Sequence, residues 1–184
     1  MKIKDIILTA LFAALTAIGA FLKIPFPLAA ITMQSFFTAM AAILLGRKYG
    51  ALSQGVYVLI GLVGIPIFAL GGGFSYVLQP TFGFLLGLIP AAWVIGALCR
   101  RPLTFWRTAL AILAGYGVLY AIGVPYMALI ANGYLGKGLT FWQVIRGGML
   151  LYLPGDMLKV VVASLLCVTI ERRLPKAAQP STSA

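Results

Sequence analysis

From Tyr49 to Cys99 the chain carries no charged side chain, and the same holds from Ile6 to Leu22 and from Thr108 to Gly136. Apolar stretches this long do not fit one small soluble core. A helix crossing hydrocarbon needs roughly 20 mostly apolar residues, and inside a bilayer every backbone group has to be satisfied within the protein. With 62% hydrophobic and 9% charged residues and a mean hydropathy of +1.05, the chain lies far from the roughly 45–50% apolar, 25% charged balance of soluble domains. Its 184 residues suffice for about six spans in one domain. No fused ATPase or other large catalytic domain is therefore expected.

The expected architecture is an all-α membrane bundle of six helices. The runs place spans at residues 6–22, 31–46, 50–63, 81–98 and 108–131, and from Pro154 to just before Glu171. The first run also has the outline of a signal peptide, a basic start and an apolar core ending in AIGA. Its length and its alanine spacing favour a retained span. Pro25 and Pro27 are expected to end that helix, and Gly123 and Pro125 are the expected kink positions in the fifth. Residues 64–80, GIPIFALGGGFSYVLQP, read as a loop from their prolines and triple glycine. The loop is nearly uncharged and rich in aromatics, so it is expected to fold back onto the bundle. Asn132 to Gln143 reads as the next loop. Residues 1–174 form the expected membrane domain, and 175–184 have the composition of a flexible tail.

A formal charge of +11 and a pI near 10.1 would suggest nucleic acid for a soluble domain. Here Lys and Arg sit in short connections, as the positive-inside bias requires, so lipid headgroups are the expected counter-charge and no nucleic-acid partner is expected. Lys2, Lys4, Arg47, Lys48, Arg100, Arg101, Arg107, Arg172, Arg173 and Lys176 fall on one face, and Lys23, Lys137 and Arg146 on the other. Both termini are therefore expected in the cytoplasm. Cys99 and Cys167 lie near cytoplasmic span ends, where a disulfide is not expected. With two cysteines and no histidine, no zinc or haem set is expected, and His-based acid–base chemistry is excluded.

One stretch stands apart, LPGDMLKVV at residues 153–161. Pro154 suits the first turn of a helix. Asp156 then falls where backbone N–H groups and the helix dipole favour a carboxylate. Lys159, at i+3, projects from the same face. The 12 residues from Lys159 to Glu171 make about 18 Å of helix, which puts Lys159 inside the outer edge of the hydrocarbon. A lysine at the bilayer centre costs roughly 2.5–3.5 kcal/mol, and intramembrane ionisable groups commonly mark sites. Two readings are open: a capping Asp that neutralises a buried Lys, or a polar anchor in a ligand cavity for a small solute bearing both donors and acceptors. Gln34, Ser75, Tyr76, Gln79, Thr81 and Tyr152 fall on the same outer side. Phe36, Phe68, Phe74, Phe82 and Phe84 are aromatic neighbours. An apolar pocket with a few convergent polar groups is the usual form of a small-molecule site.

LPGDMLK, ITMQSFF, YVLIGLVGIPIFALGGGFSYVLQPTFGFLLG and the six-span length together resemble the BioY family, over about residues 5–173. Members are biotin-binding S components of energy-coupling factor (ECF) transporters. The resemblance implies a compact six-helix bundle in the bacterial cytoplasmic membrane that binds biotin near the outer face. It also implies a transmembrane T component and two ABC-type ATPases as partners, since this chain has no Walker A motif. The family's PGDxxK signature maps onto Asp156 and Lys159, and its site-capping glycine-rich loop onto Gly71 to Pro80. The family's Thr-x-Gln-Thr is Thr32-Met33-Gln34-Ser35 here. Its Gly-Pro-Thr-Gly-Gly-Tyr is Gln79-Pro80-Thr81-Phe82-Gly83-Phe84. No Arg lies between Arg47 and Arg100 to meet the biotin carboxylate. Biotin's ureido ring offers two N–H donors and a carbonyl. Asp156 would accept from that edge with Lys159 nearby, or Lys159 would hold the carboxylate.

Ala10, Ala13, Ala14, Ala17 and Ala20 form a small-residue pattern on the first span. Such patterns allow close helix approach, and packing within the bundle satisfies the pattern equally well. In S components an AxxxA face docks on the T component, so the resemblance implies that role. The rival readings are an S component for another vitamin, a purely structural subunit, or an intramembrane enzyme using Ser53, Ser75 or Ser164. The enzyme would have only Lys159 as a base within a span.

Overall fold

The structure, a computed structural model, describes residues 3–24 and 31–173. Pro25, Pro27 and the tail at 175–184 lie outside the described residues. α1 (Ile3–Phe21) begins with Asp5 in its first turn, where a carboxylate favours the helix dipole. Thr9, Phe12, Ala13, Thr16, Gly19 and Ala20 are its buried face, the three-and-four spacing of an amphipathic helix. Beyond α1, the strands β1 (Lys23–Ile24) and β2 (Ile31–Thr32) pair antiparallel with Lys23 opposite Thr32. The helix expected from Ile31 therefore starts only at Gln34, because the residues before it are extended and paired.

α2 (Gln34–Leu62) is two helices that meet at Gly46, with φ 81° and ψ 175°. That backbone region is essentially closed to side-chain-bearing residues. The two runs read from the sequence on either side of it thus meet without an intervening loop. α3 (Phe82–Leu98) seats its C-terminal end on this joint: a Cβ on Gly96 would lie 2.4 Å from the Arg47 backbone nitrogen. α4 (Phe105–Ala128) stays helical through Gly123 and Pro125. At Gly123 the requirement is space, since a Cβ would meet the Phe84 ring at 2.3 Å.

The expected loop from Asn132 to Gln143 is shorter than the sequence suggests. α4 continues into a π-helical turn, Leu129–Tyr134, and α5 (Phe141–Ile145) begins inside the expected loop. Thr140 and Gln143 form a reciprocal capping box at its start, a pattern readable as T-x-x-Q. A second π-helical turn, Arg146–Leu150, leads into α6 (Leu153–Arg173). The stretches Ile3–Phe21, Phe105–Tyr134 and Phe141–Arg173 are long and apolar enough to cross a membrane, and Phe82–Leu98 is a shorter apolar helix.

Contacts sort the charges by end. Asp5 lies against the Tyr49 hydroxyl, and Arg101 pairs with Glu171 at 3.3 Å. The other Glu171 oxygen accepts from the Leu103 N–H at 2.6 Å. Lys4, Arg47, Lys48, Arg100, Arg101, Arg107, Arg172 and Arg173 therefore gather at one end of the bundle. The β pair, residues 64–80 and the start of α6 occupy the other. Phe36, Ile95, Ile112, Tyr116 and Val160 form one core among α2, α3, α4 and α6. Tyr57, Phe68, Tyr76, Phe82 and Leu119 form a second beneath residues 64–80. Cys99 and Cys167 are buried free thiols. Burial pushes the Cys99 thiol up to about 11, which keeps it protonated and unreactive.

Between α1 and both halves of α2 lies a satisfied polar cluster. Thr38 Oγ1 donates to Gln54 Oε1 at 2.9 Å. Gln54 Nε2 donates to Ser53 Oγ at 3.0 Å and to Thr16 Oγ1 at 3.3 Å. Fully connected buried polar groups fix one arrangement of the elements that carry them.

Candidate functional site

Asp156 and Lys159 are buried, 4% and 7% exposed, and they do pair: Lys159 Nζ donates to Asp156 Oδ1 at 2.8 Å. Asp156 stands in the first turn of α6, where the sequence puts it, and its own N–H donates to the Tyr152 carbonyl at 2.9 Å. Side chains hold the carboxylate. The Tyr120 hydroxyl donates to Asp156 Oδ2, and Lys159 Nζ also donates to Ser35 Oγ at 3.2 Å. Three helices thus fix one ion pair, with Ser35 from α2, Tyr120 from α4, and Asp156 and Lys159 from α6.

Gln34 stands beside Ser35 on the first turn of α2. Its Oε1 accepts from Thr32 Oγ1 at 2.8 Å, and its Nε2 donates to the Tyr57 hydroxyl at 2.6 Å. Tyr57 in turn donates to the Ile67 carbonyl at 3.1 Å, which ties residues 64–80 to the bundle. Two more bonds hold this segment. Gly73 N–H donates to the Gly61 carbonyl at 2.7 Å, and the Tyr126 hydroxyl donates to the Val77 carbonyl at 2.6 Å. Phe68 fills the hollow that Gly61 leaves, where a Cβ would come within 2.1 Å of its ring. The ring centroids of Phe68 and Tyr76 are 4.7 Å apart, within the range of favourable aromatic pairs.

These groups enclose a cavity of about 90 Å³ lined by Ile31, Thr32, Gln34, Ser35, Ala69, Leu70, Tyr76, Thr81, Phe84, Leu85, Leu88, Leu119, Tyr120, Tyr152, Asp156 and Lys159. Of the residues expected from the sequence, Gln34, Tyr76, Thr81, Phe84, Tyr152, Asp156 and Lys159 are on its wall. Phe74, Ser75 and Gln79 are not; all three are exposed on the 3-10 turn Phe74–Leu78 and just after it. Phe36, Phe68 and Phe82 pack in the cores. Ser35 and Tyr120 were missed, although Tyr116 and Tyr120, an i,i+4 pair of tyrosines inside an apolar run, were a readable signal. Ligand sites commonly span roughly 300–1,000 Å³, so a bicyclic solute with a tail requires the wall to give. Its least packed part is the segment holding Leu70, which is 60% exposed. A larger groove of about 490 Å³, lined by residues of α4, α5 and α6 with Asp156 at its edge, opens on the side of the bundle. Its wall is nearly all apolar, whereas the polar groups converge on the smaller cavity.

The α1 alanines divide. Ala13 and Ala20 are buried and Ala17 half-buried, whereas Ala10 and Ala14 are exposed, on the outward side with Ile3, Ile7, Ile18 and Phe21.

Comparison with known proteins gives a concordant result. The family model for the BioY family matches residues 1–176. A probable biotin transporter BioY from Lysinibacillus sphaericus is 42% identical over 164 residues, covering 88% of this chain and 84% of the relative. The biotin transporter BioY of Thermotoga maritima is 35% identical over 171 residues, covering 92% and 96%. Among solved structures, the crystal structure of the S component for biotin from an ECF-type ABC transporter superposes with a TM-score of 0.79 at 22% identity, covering 98% of this chain and 97% of the other. The fold is that of an ECF S component, and the chain is an integral membrane protein that belongs to the BioY family.

Proposed function

We propose that this chain is the biotin-binding S component of an ECF-type uptake transporter. The family is one of transporters, so the chain is not an enzyme. The observation that carries the ligand assignment is the Asp156–Lys159 pair, held by Ser35 and Tyr120 at the floor of a cavity whose wall is mostly apolar with a few polar groups. A carboxylate oxygen can accept from one ureido N–H, since the two N–H bonds of the cyclic urea point away from each other. The Lys159 ammonium or the Ser35 hydroxyl can donate to the ureido carbonyl. Leu85, Leu88, Leu119 and Phe84 offer apolar surface to the fused ring and chain. Gln34, Tyr76, Thr81 and Tyr152 complete the wall. Phe74, Ser75 and Gln79, on the exposed side of the capping segment, reach a solute only when that segment closes further.

In this reading six helices span the bacterial cytoplasmic membrane, with α2 contributing two and α5–α6 one. Residues 1–174 are the carrier domain and 175–184 a cytoplasmic tail. The clustering of cations at the Arg101–Glu171 end supports cytoplasmic termini. Energy comes from a T component and two ATPase subunits. The exposed Ala10 and Ala14, with the half-buried Ala17 at the edge of the same strip, form the docking face for the T component, whereas Ala13, also expected there, is buried in the bundle. Ala14→Trp is expected to abolish co-purification with the T component while leaving biotin affinity within about twofold. Loss of both together would point to misfolding or to packing of this strip within the bundle.

Equilibrium binding of labelled biotin to the detergent-purified chain, with thiamin and riboflavin as competitors, tests the ligand. Saturable biotin binding resistant to both competitors is expected. Displacement by either would favour an S component for another vitamin.

A further inference from the structure

We propose that Lys23, at the rim of the cavity, is the cation that receives the carboxylate end of the solute; this deepens the biotin reading and rests on it. The floor of the cavity is already committed. Lys159 spends two of its three N–H donors on Asp156 and Ser35 and has the third for the polar ring, so a solute whose ring meets that floor presents its acidic tail elsewhere. Among the described residues, Lys23, Lys137, Arg146 and Lys159 are the cations at this end of the bundle. Lys137 and Arg146 belong to the α4–α6 connection, none of which lines the cavity from residue 129 to 150.

Lys23 is placed differently. It lies directly opposite Thr32 in the β pair, and side chains directly opposite share one face. Thr32 lines the cavity. The Lys23 ammonium donates to the Ala69 carbonyl, and Ala69, with the exposed Leu70, lines the rim. Both neighbours that define its position are therefore cavity residues. The two salt bridges among the described residues join other side chains, so the ammonium is held there by a neutral carbonyl. The bond to Ala69 is charge-assisted on one side only, whereas a carboxylate acceptor adds the Coulomb attraction of an opposite charge. A carboxylate leaving the cavity mouth would take the ammonium from Ala69. The same exchange would remove one of the bonds that hold the segment whose displacement the small cavity requires.

The test compares biotin with its primary amide, which has the same ring and chain but no charge. Affinities are measured for the purified wild type, Lys23→Gln and Lys23→Arg. The wild type is expected to prefer biotin. Lys23→Gln is expected to weaken biotin by about three- to fivefold, the upper part of the range for an exposed ion pair, and to leave the amide within about twofold. Lys23→Arg is expected to keep the preference. An unchanged biotin-to-amide ratio in Lys23→Gln, or an equal loss for both ligands, overturns the assignment. Wild-type protein that binds biotin with either of those outcomes leaves the biotin reading standing. Wild-type protein that binds neither ligand removes both.

Discussion

Asp156→Asn is expected to weaken biotin binding by about 10- to 100-fold, the range for losing a hydrogen bond to a charged group. The substitution preserves shape and replaces one acceptor oxygen with a donor. In the wild type both carboxylate oxygens accept, one from Lys159 and one from Tyr120, so their positions are fixed before a solute arrives. An asparagine has to turn its amide N–H towards Lys159, towards Tyr120 or towards the solute, and each of these is itself a donor. The measurement is equilibrium binding on purified protein, alongside a thermal melt to verify folding. A folded variant with wild-type affinity would remove Asp156 from the site.

Lys159→Met is expected to lower stability by about 3–5 kcal/mol, the cost of leaving one member of a buried ion pair alone. The Asp156 carboxylate, 4% exposed, would keep Tyr120 as a donor and lose its counter-charge. Replacing both members removes the stranded charge, and buried pairs replaced by packed apolar groups are often neutral in stability. Asp156→Leu with Lys159→Met is therefore expected to recover most of the lost stability while biotin binding stays lost. Denaturant titration in detergent reads the first quantity and labelled biotin the second. A single Lys159→Met as stable as the wild type would show that the pair is solvated, and the argument from burial would fail.

Much of the arrangement was legible in the sequence, and the gaps have physical causes. The i,i+3 spacing of Asp156 and Lys159 put both on one helical face, and the structure pairs them. What the spacing could not give was the third and fourth partners, because Ser35 and Tyr120 arrive from helices distant in sequence. The glycine-rich stretch announced a loop folded on the bundle, but composition does not say which side of a short 3-10 turn faces inward. Tyr76 therefore lies within and Phe74, 79% exposed, without. The helix from Phe141 was missed because glycines at 133, 136 and 138 read as one long loop, masking the capping box at Thr140. The joint at Gly46 was hidden for the opposite reason: two apolar runs separated by Arg47 and Lys48 invite a loop, and one glycine conformation replaces it.

The Tyr57 hydroxyl, bonded both to Gln34 and to the Ile67 carbonyl, constrains how this carrier can be re-engineered. Transplanting residues 64–80 from a carrier of another specificity would bring new wall chemistry but would also have to present a carbonyl at that spot. A graft that failed to do so would leave the phenol bonded to the glutamine alone, with its own proton unspent. Swapping the cap by itself therefore strands a buried donor, and position 57 belongs with the cap as one exchangeable module.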